Sequence, residues 1–301
     1  MKGIVLAGGT GSRLWPITKG ISKQLLPVYD KPLIHYPIAT LFLAGIREIL
    51  IITSPDDSDT FMKLLGDGSN YGVTFQFGTQ KKPNGIAEAF LIGASFIGNE
   101  EVALVLGDNI FHGSGLGRQL QKIKVDAGAT VFAHKVEDPS NYGVIEFDSD
   151  SKVVSLEEKP RNPKSDFVIP GLYFYDSRVV EFAERIVPSD RGELEITSIN
   201  QIYFELDQLN VKILERGTTW FDTGTAKSLN DASNFIRVVE ETSQLKVACL
   251  EEIAFNSKWI DAAELKKSIS NYRNSDYGKY LQKVLDQKTR KLNVTFEDLI
   301  E

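Results

Sequence analysis

The amino-acid sequence predicts an α/β protein with a mixed, mainly parallel central sheet, helices on both faces of that sheet, and a small helical addition at the C-terminus. Three observations support this prediction. Short apolar runs alternate with amphipathic stretches in the first half, more closely spaced strands begin at about Thr130, and residues 242–301 have a mainly helical pattern. With 301 residues, 42% of them hydrophobic, the chain can bury a sizeable core without disulfides or a structural metal.

Strand and helix patterns follow one another through the first half of the chain. Strand-length apolar runs alternate with helical stretches at residues 3–7, 37–44, 48–53, 60–65, 73–77, 87–96 and 102–106. This alternation predicts βαβ units, in which the strands run parallel and the helices cover both faces of the sheet.

The second half begins with strands that are separated only by Asp, Ser, Gly and Pro turns. The predicted elements are strands at 131–136, 144–147, 153–156 and 172–174, helices at 177–186 and 195–206, a strand at 211–214 and a helix at 226–241. The close spacing predicts a mixed or antiparallel extension of the sheet. Because no repeat or linker-like tract divides the chain, we predict one domain over residues 1–241, with a helical extension over residues 242–301 packed on it.

Charge and composition argue against several classes of partner. The chain carries 34 Lys and Arg against 41 Asp and Glu, a formal charge of −7, so we expect no nucleic-acid partner and no attraction to an anionic membrane. No apolar run approaches the roughly 18 to 20 residues of a membrane helix. The single cysteine, Cys249, and a chain that begins with strand-like residues rather than a leader predict a reducing, cytoplasmic setting.

The most informative segment is the glycine-rich run GGTGSRL at residues 8–14, directly after the first predicted strand. Glycines there allow backbone N–H groups to approach a phosphate, and the nearby Arg13 and Lys23 suit a triphosphate. The alternative is an ordinary glycine-rich turn. A dinucleotide fingerprint fails because its third glycine position holds Leu14, and a Walker A loop fails because no Gly-Lys-Ser/Thr follows. The segment therefore indicates nucleotide binding by another kind of loop.

This run, together with SKQLLPV at residues 22–28, resembles the signature of the sugar-1-phosphate nucleotidyltransferases. Later segments occur in the order found in the short glucose-1-phosphate thymidylyltransferases: VLGDN at 105–109, YGV at 142–144, LEEKP at 156–160, GLYFYD at 171–176, RGELEIT at 191–197 and WFDTGT at 220–225. The resemblance covers residues 1 to about 285. It implies a Rossmann-like three-layer nucleotidyltransferase fold, in which the first half of residues 1–241 binds the nucleotide and the second half binds the sugar.

The resemblance implies a reaction between two anions. The phosphate of glucose 1-phosphate attacks the α-phosphorus of dTTP, and the products are dTDP-glucose and pyrophosphate, the first step of dTDP-deoxysugar synthesis (for example dTDP-rhamnose) for cell-surface polysaccharide. Catalysis must then hold the reactants in line and disperse the charge on the leaving pyrophosphate. A protein base is hardly needed, because the nucleophile is already ionised.

Two aspartates are candidate metal ligands. Asp108 closes the apolar run 102–106 and Asp222 closes the shorter run 218–221, so each is predicted at the C-terminal end of a strand, where α/β sheets bind ligands. Two carboxylates completed by phosphate oxygens and water suit Mg²⁺. The alternative for each is turn or helix-cap chemistry. Exchange of either for Asn is expected to abolish most turnover and to leave the melting temperature unchanged or raised, by relief of repulsion.

The resemblance also implies a role for each further site residue. The catalytic group is Arg13, Lys23, Asp108, Lys159 and Asp222. The nucleotide-binding group is Leu6, Gly8, Gly9, Gly11, Ser12, Arg13, Lys23, Gln24, Gln80 and Gly85, the last two at the thymine edge. The sugar-phosphate-binding group is Asn109, Gly143, Glu158, Lys159, Ile169 and Glu193. Alternatives remain open for Gly143 as a turn glycine, for Ile169 as a core residue, and for Lys159 in an exposed salt-bridged turn.

Departures from the family pattern leave two further hypotheses open. The stretch KKPN at residues 81–84 is unusually basic, Glu88 stands where a glutamine is usual, and Pro170 replaces a threonine or similar residue. The same chemistry with UTP or another hexose 1-phosphate is therefore one alternative, and a non-catalytic nucleotide-sugar sensor is another. The resemblance further implies a homotetramer and a possible second, regulatory nucleotide site near the helical tail. Residues after about Gln287 extend past the resemblance.

Overall fold

Strands and helices alternate through the chain much as the residue pattern predicts. The structure is a computed structural model that describes residues 1–125 and 127–293; the end of the predicted C-terminal extension, residues 294–301, lies outside the described residues. The strands are β1 (Lys2–Ala7), β2 (Pro27–Val28), β3 (Lys31–Pro32), β4 (Glu48–Thr53), β5 (Thr74–Thr79), β6 (Val102–Leu106), β7 (Asn109–His112), β8 (Ala129–Lys135), β9 (Gly143–Phe147), β10 (Val153–Glu158), β11 (Phe167–Val168), β12 (Leu172–Tyr175), β13 (Leu209–Ile213) and β14 (Thr219–Asp222). The helices are α1 (His35–Leu43), α2 (Ser58–Leu65), α3 (Glu88–Ile92), α4 (Ala94–Ile97), α5 (Leu116–Gln121), α6 (Val179–Arg185), α7 (Ile196–Glu205), α8 (Ala226–Ser243), α9 (Leu250–Asn256), α10 (Ala262–Tyr272) and α11 (Asp276–Asn293).

The central sheet has ten strands and is mixed. Along the order β5-β4-β1-β6-β12-β8-β13, every strand runs in one direction except β12, which is antiparallel to both of its neighbours. The C-terminal end of β8 also pairs with β11. Strand β11 in turn pairs with β9, and β9 pairs with β10, and all of these pairings are antiparallel. The predicted mixed, mainly parallel sheet with an antiparallel extension is confirmed.

Helices cover both faces of the sheet, and an apolar core lies on each face. Val5 of β1 packs in one core with residues of α1 and α9, and Ile4 packs in the other with residues of α3 and α7. Both side chains are fully buried. Because side chains alternate across a strand, a strand covered on both faces must be apolar throughout, which is the pattern of β1, β4 and β6.

The C-terminal helices share the first of these cores. Leu250, Leu265 and Leu281, from α9, α10 and α11, are all fully buried in the cluster that contains Phe42 of α1. Asp261 begins α10 with a capping box, in which its side chain accepts from the backbone N–H groups of the first turn. In the part of the chain that is described, none of the helices combines the length and the apolar character that membrane crossing requires.

Several local features differ from the sequence prediction, which contained no counterpart of the short elements β2, β3, β11 and α5. The predicted helix at 87–96 is divided at Gly93, where a Cβ would lie 3.0 Å from the carbonyl oxygen of Ala89 and 3.1 Å from Ile4. Strand β7 was not predicted at all, because its apolar part is too short to show a period. It pairs antiparallel with β14 outside the central sheet, and this pairing positions the candidate site.

Candidate active site

The pairing of β7 with β14 brings the two candidate metal ligands together. Asp108 lies in the turn between β6 and β7, and Asp222, the last residue of β14, lies opposite Asn109 of β7. Thr223 secures this junction, because its backbone N–H and its hydroxyl both donate to the carbonyl oxygen of Asp108, at 3.1 and 2.8 Å. Asp108 therefore follows a strand of the central sheet as predicted, whereas Asp222 reaches the same place on a separate two-stranded ladder.

The environments of the two carboxylates differ. Lys23 donates to Oδ2 of Asp108, and the side-chain amide of Asn109 donates to Oδ1 at 2.8 Å. Burial acts to raise the pKa of Asp108, but the Lys23 ammonium and these hydrogen bonds outweigh it and hold that pKa below its ordinary value. For Asp222, burial and then the negative charge of Asp108 raise the pKa, against the weaker effects of Lys23 and Arg13. The negative charge of Asp108 thus opposes ionisation of Asp222, and a further cation bound to the pair would relieve this repulsion.

This donor set fits a divalent cation that is completed by substrate. Among the described residues there is no cluster of three or more His, Cys, Asp or Glu that could enclose a metal by itself. Asp108 and Asp222 supply hard oxygen donors, which Mg²⁺ prefers when phosphate oxygens and water complete its coordination. A structural zinc site would need four protein ligands, so the arrangement does not fit one.

The glycine-rich run lies beside these carboxylates, directly after β1. Gly9 and Gly11 have φ angles of +104° and +58°, which favour glycine, and the hydroxyl of Thr18 donates to the carbonyl oxygen of Gly11 at 2.7 Å. Arg13 is exposed, and its Nη2 lies 2.7 Å from the position that a Cβ on Gly224 would take. The guanidinium therefore lies next to the Asp222 end of the site.

The other predicted nucleotide-binding residues support or line the cleft around this run. Gln24 is buried and its amide donates to the carbonyl oxygen of Gly8 at 3.4 Å, so it stabilises the backbone of the glycine-rich run. Leu6 is also buried, and its carbonyl oxygen accepts from Gly107 at 2.8 Å. Ser12 is exposed at the start of a short 3₁₀ turn. These contacts hold the backbone of the run in place.

The candidate base-recognition residues face this run from the end of β5. A Cβ on Gly8 would lie 2.8 Å from Oε1 of Gln80, so the amide oxygen of Gln80 lies over the glycine-rich run. Gly85 has a φ of +113°, and a Cβ there would lie 2.3 Å from the carbonyl oxygen of Leu194. Both positions therefore require glycine, because a neighbouring group lies too close to leave room for a Cβ.

Exchange of Gly8 for alanine is expected to raise the KM for the nucleotide about tenfold, because the new Cβ would displace the amide oxygen of Gln80. Steady-state kinetics at saturating sugar phosphate would measure the change. Gly20→Ala provides the matched control, since a Cβ at Gly20 meets nothing within 4 Å. An unchanged KM in Gly8→Ala would show that Gln80 is not held where the nucleotide binds.

A cavity of about 480 Å³ extends from the two aspartates toward the second half of the chain. It is lined by a large part of the predicted site: Arg13, Asp108, Asn109, Gly143, Glu158, Lys159, Ile169 and Asp222. The residues predicted for the nucleotide alone lie beside it rather than in its lining. Lys23 touches the cavity only through its contact with Asp108.

The part of the cavity that is predicted to bind the sugar phosphate is built around Glu158. Its Oε2 accepts from the hydroxyl of Thr197, and its Oε1 lies 3.6 Å from Nζ of Lys159. A Cβ on Gly143 would lie 2.8 Å from the Thr197 hydroxyl, so the glycine is needed for this contact, whereas its backbone is that of an ordinary strand residue rather than of a turn. The N–H of Ile169 donates to the carbonyl oxygen of Gly143 at 2.9 Å, and its side chain is buried. Ile169 therefore shapes the wall without offering its amide to a ligand.

Within the predicted sugar-phosphate-binding group, Glu193 is the residue that does not line the cavity. Its carboxylate lies 3.1 Å from Nη2 of Arg191 on the outer side. Arg191 itself lines the cavity, 2.8 Å from Glu195 and 3.8 Å from Glu158. Glu193 and Glu195 thus hold the guanidinium that faces the sugar end.

Several lining residues were not singled out from the sequence. Besides Arg191, their polar and aromatic members include Tyr142, Thr197, Asn200 and Trp220. The indole N–H of Trp220 donates to Oδ1 of Asn109 at 2.6 Å, and the ring of Tyr142 packs edge-on against that indole with centroids 5.3 Å apart. All except Asn200 lie inside segments that carry the family resemblance, and this was the available signal. Asn200 gave none, since a polar residue in a helical pattern is ordinary.

Comparisons with known proteins agree with this geometry. A family model described as nucleotidyl transferase matches residues 2–238. The chain is 54% identical over 288 residues to the glucose-1-phosphate thymidylyltransferase of Mycolicibacterium smegmatis, covering 96% of this chain and 100% of the relative. It is 51% identical over 286 residues to the enzyme of that name from Neisseria meningitidis, covering 95% and 99%.

Solved structures are similar in fold. A crystal structure from Bacillus anthracis, assigned as a glucose-1-phosphate thymidylyltransferase in complex with sucrose, has a TM-score of 0.73 and 40% identity, covering 79% of this chain and 95% of that chain. A UDP-glucose pyrophosphorylase in complex with UDP-glucose has a TM-score of 0.67 and 25% identity, covering 79% and 98%.

Proposed function

The chain belongs to the nucleotidyl transferase family, and from that membership we propose that it transfers a thymidylyl group from dTTP to glucose 1-phosphate. The products are dTDP-glucose and pyrophosphate. The observation that carries the proposal is that one cavity is lined both by Asp108 and Asp222 and by Glu158 and Lys159. Such a cavity has room for a sugar phosphate between a sugar-binding end and a phosphate-transfer end.

The residues of the chain act by holding charge and geometry. Lys159 is proposed to hold the phosphate of the sugar, while Glu158, held by Thr197, accepts hydrogen bonds from sugar hydroxyls. An oxygen of that phosphate forms a bond to the α-phosphorus of dTTP, and the bond from this phosphorus to the bridging oxygen breaks, so that pyrophosphate leaves. Arg13 and Lys23 then stabilise the charge that develops on the nucleotide phosphates.

Mg²⁺ is the proposed cofactor, held by Asp108 and Asp222. When bound, it supplies positive charge that neutralises the phosphate oxygens and fixes their orientation. The support is the meeting of two carboxylates at one place, where the negative charge of Asp108 adds to burial in raising the pKa of Asp222. Until the cation binds, Lys23 offsets part of this charge through its contact with Asp108.

Further proposals concern the domain organisation, the oligomeric state, a second binding site and the cellular location of the protein. Residues 1–241 form the catalytic domain and residues 242–301 an extension packed on it, supported by the shared core of α1 with α9–α11. We propose a homotetramer with a second, regulatory nucleotide site. A separate cavity of about 330 Å³, which includes His112, Lys246 and Glu252, supports the second site. A cytoplasmic location is proposed because the substrates are cytoplasmic metabolites.

Pyrophosphate release is the direct test of this function. With Mg²⁺ and glucose 1-phosphate, and with dTTP, UTP, CTP, ATP and GTP compared at subsaturating concentration, the highest kcat/KM is expected for dTTP. Equal turnover with UTP would support the alternative specificity that the basic stretch at 81–84 suggests. Tight binding of dTDP-glucose by folded protein without turnover in either direction would contradict the enzyme and favour a sensor.

A further inference from the structure

Two cationic side chains lie against the two candidate metal ligands. Lys23 donates to Oδ2 of Asp108. The guanidinium of Arg13 lies near the other carboxylate, because the position of a Cβ on Gly224 would be 2.7 Å from Nη2 of Arg13 and 3.0 Å from Oδ1 of Asp222. Two carboxylates therefore meet two cations, so a divalent ion that arrives by itself gains less than it would from two unpaired carboxylates.

The two cations differ in their exposure to water. The side chains of Lys23 and Asp108 are only 12% and 16% exposed, so water and salt screen their attraction weakly. Arg13 is exposed, and solvent screens its charge. Lys23 is therefore the stronger competitor, and a metal ion bound to Asp108 would lie next to an ammonium group that repels it.

The backbone of Lys23 is held in place, whereas its side chain has the freedom to move. Lys23 begins a 3₁₀ turn at residues 23–25, and the N–H of Leu26 donates to its carbonyl oxygen at 3.0 Å. The next residue, the buried Gln24, donates to the carbonyl oxygen of Gly8 in the glycine-rich run. The turn is thus attached to the run that is proposed to hold the nucleotide phosphates. Because the lysine side chain is a flexible four-carbon chain, its ammonium can exchange one acceptor for another without movement of the turn.

We propose that Lys23 couples metal binding to nucleotide binding: in the empty site its ammonium pairs with Asp108 and disfavours a divalent cation, and in the loaded site it moves to the nucleotide phosphates and leaves Asp108 to the cation. The metal ion then binds tightly only together with the nucleotide. By thermodynamic linkage, the metal raises the affinity for the nucleotide by the same factor. The inference rests on the proposed function, because it takes Asp108 and Asp222 as metal ligands and the glycine-rich run as the phosphate site.

The variant Lys23→Met tests this coupling without a measurement of activity. It removes the ammonium and leaves a side chain of similar length. Mn²⁺ is a suitable probe for an oxygen-ligand Mg²⁺ site, and electron paramagnetic resonance measures the free ion in the absence of nucleotide. We expect Lys23→Met to bind Mn²⁺ about tenfold more tightly than the wild type, because the repelling charge is gone. The added substitution Asp222→Asn should abolish this gain, which places the bound ion at the two aspartates.

Lys227→Met is the matched control for the loss of an ammonium group. It breaks an exposed pair between Lys227 and Asp231 on α8, so it also leaves an aspartate without its lysine. We expect its affinity for Mn²⁺ to equal that of the wild type. An equal gain in this control would show that the effect comes from the net charge of the protein rather than from the position of Lys23, and would contradict the inference.

Calorimetric titration with dTTP measures the same coupling from the side of the nucleotide. The titrations are made in EDTA and in Mg²⁺ without glucose 1-phosphate, so that no transfer occurs. The factor by which Mg²⁺ raises the affinity for dTTP is expected to be about tenfold smaller in Lys23→Met than in the wild type. Formation of the Mg²⁺ complex of dTTP in solution is common to both proteins and cancels in this comparison.

The inference and the proposed function fail in distinguishable ways. Because Lys23→Met leaves a mostly buried carboxylate without its partner, its melting temperature should be below that of the wild type in EDTA and should rise more on addition of Mn²⁺. Tight binding of Mn²⁺ by the empty wild-type protein, which needs no variant, would overturn the inference, as would equal Mn²⁺ affinities of the wild type and Lys23→Met. Absence of pyrophosphate release by the wild type with every nucleotide would instead overturn the proposed function.

Discussion

Asp222→Asn is expected to lower kcat about a thousandfold and to leave the melting temperature unchanged or raised. The activity falls because one of the two proposed metal ligands loses its charge. The stability does not fall, because burial and the charge of Asp108 already oppose ionisation of Asp222 in the folded protein. The neutral amide removes that repulsion and keeps the shape of the side chain.

Asp108→Asn is expected to lose a similar amount of activity and to be destabilised as well. Lys23 and Asp108 are only 12% and 16% exposed, so the amide would leave a mostly buried ammonium without its carboxylate. Breaking such a buried pair costs about 3 kcal/mol. The sequence alone predicted the same outcome for both aspartates, and the contact with Lys23 is what makes them differ.

The dependence of stability on pH should differ in sign between the two positions. The pKa of Asp222 is raised in the folded protein, so its contribution to stability is greatest below the ordinary pKa and is lost as pH rises through the folded pKa. The pKa of Asp108 is lowered, so its contribution is present above the ordinary value of 3.8 and is lost as pH falls through the folded pKa. Each Asn variant removes the corresponding dependence.

Urea unfolding at several pH values, together with pyrophosphate release, measures both effects. Asp231→Asn is a suitable control, because this carboxylate is exposed on α8 and pairs with the exposed Lys227. Equal loss of stability in Asp108→Asn and Asp222→Asn would show that both carboxylates are structural. Full activity in either variant would remove that residue from the proposed metal site.

Arg13→Ala is expected to lower kcat by about a hundredfold or more without a change in melting temperature. The side chain is exposed, so its loss leaves no cavity in the core, and the neutral form that burial already favours for Asp222 limits the cost of losing the neighbouring charge. Its guanidinium lies beside Asp222, where the nucleotide phosphates are proposed to bind. Arg13→Lys should recover only part of the activity, because an ammonium keeps the charge and loses the planar pair of donors.

Arg237→Ala is the matched control for Arg13. Arg237 is an exposed arginine on α8 that pairs with Glu241 one turn away, and such surface pairs contribute little to stability. Comparison of kcat, KM and melting temperature for the three variants separates a role at the phosphates from a general effect of charge. A loss of Arg13→Ala activity that is explained by KM for glucose 1-phosphate alone would place the guanidinium at the sugar phosphate instead.

Local patterns in the sequence were sufficient for the main elements. The predicted strands at 48–53 and 102–106 coincide with β4 and β6, because continuous apolar runs bounded by polar residues identify strands buried on both faces. The family resemblance identified most of the residues of the candidate site, including Asp108, Glu158 and Asp222. Glu193 was assigned to the sugar phosphate, whereas Arg191 in the same irregular segment is the residue that lines the cavity. The local sequence does not determine which of these two side chains faces inward.

The sequence by itself therefore determined the α/β class, the order of the elements and the identity of the charged groups, since these follow from residue periods and local motifs. Only the tertiary structure decided which groups meet. Thr223 binds the carbonyl oxygen of Asp108 across 115 residues of chain, and Lys23 reaches the same aspartate across 85. Such pairings depend on how β7 and β14 pair and on which acceptor each donor finds. Residue periodicity carries no information about contacts at that separation.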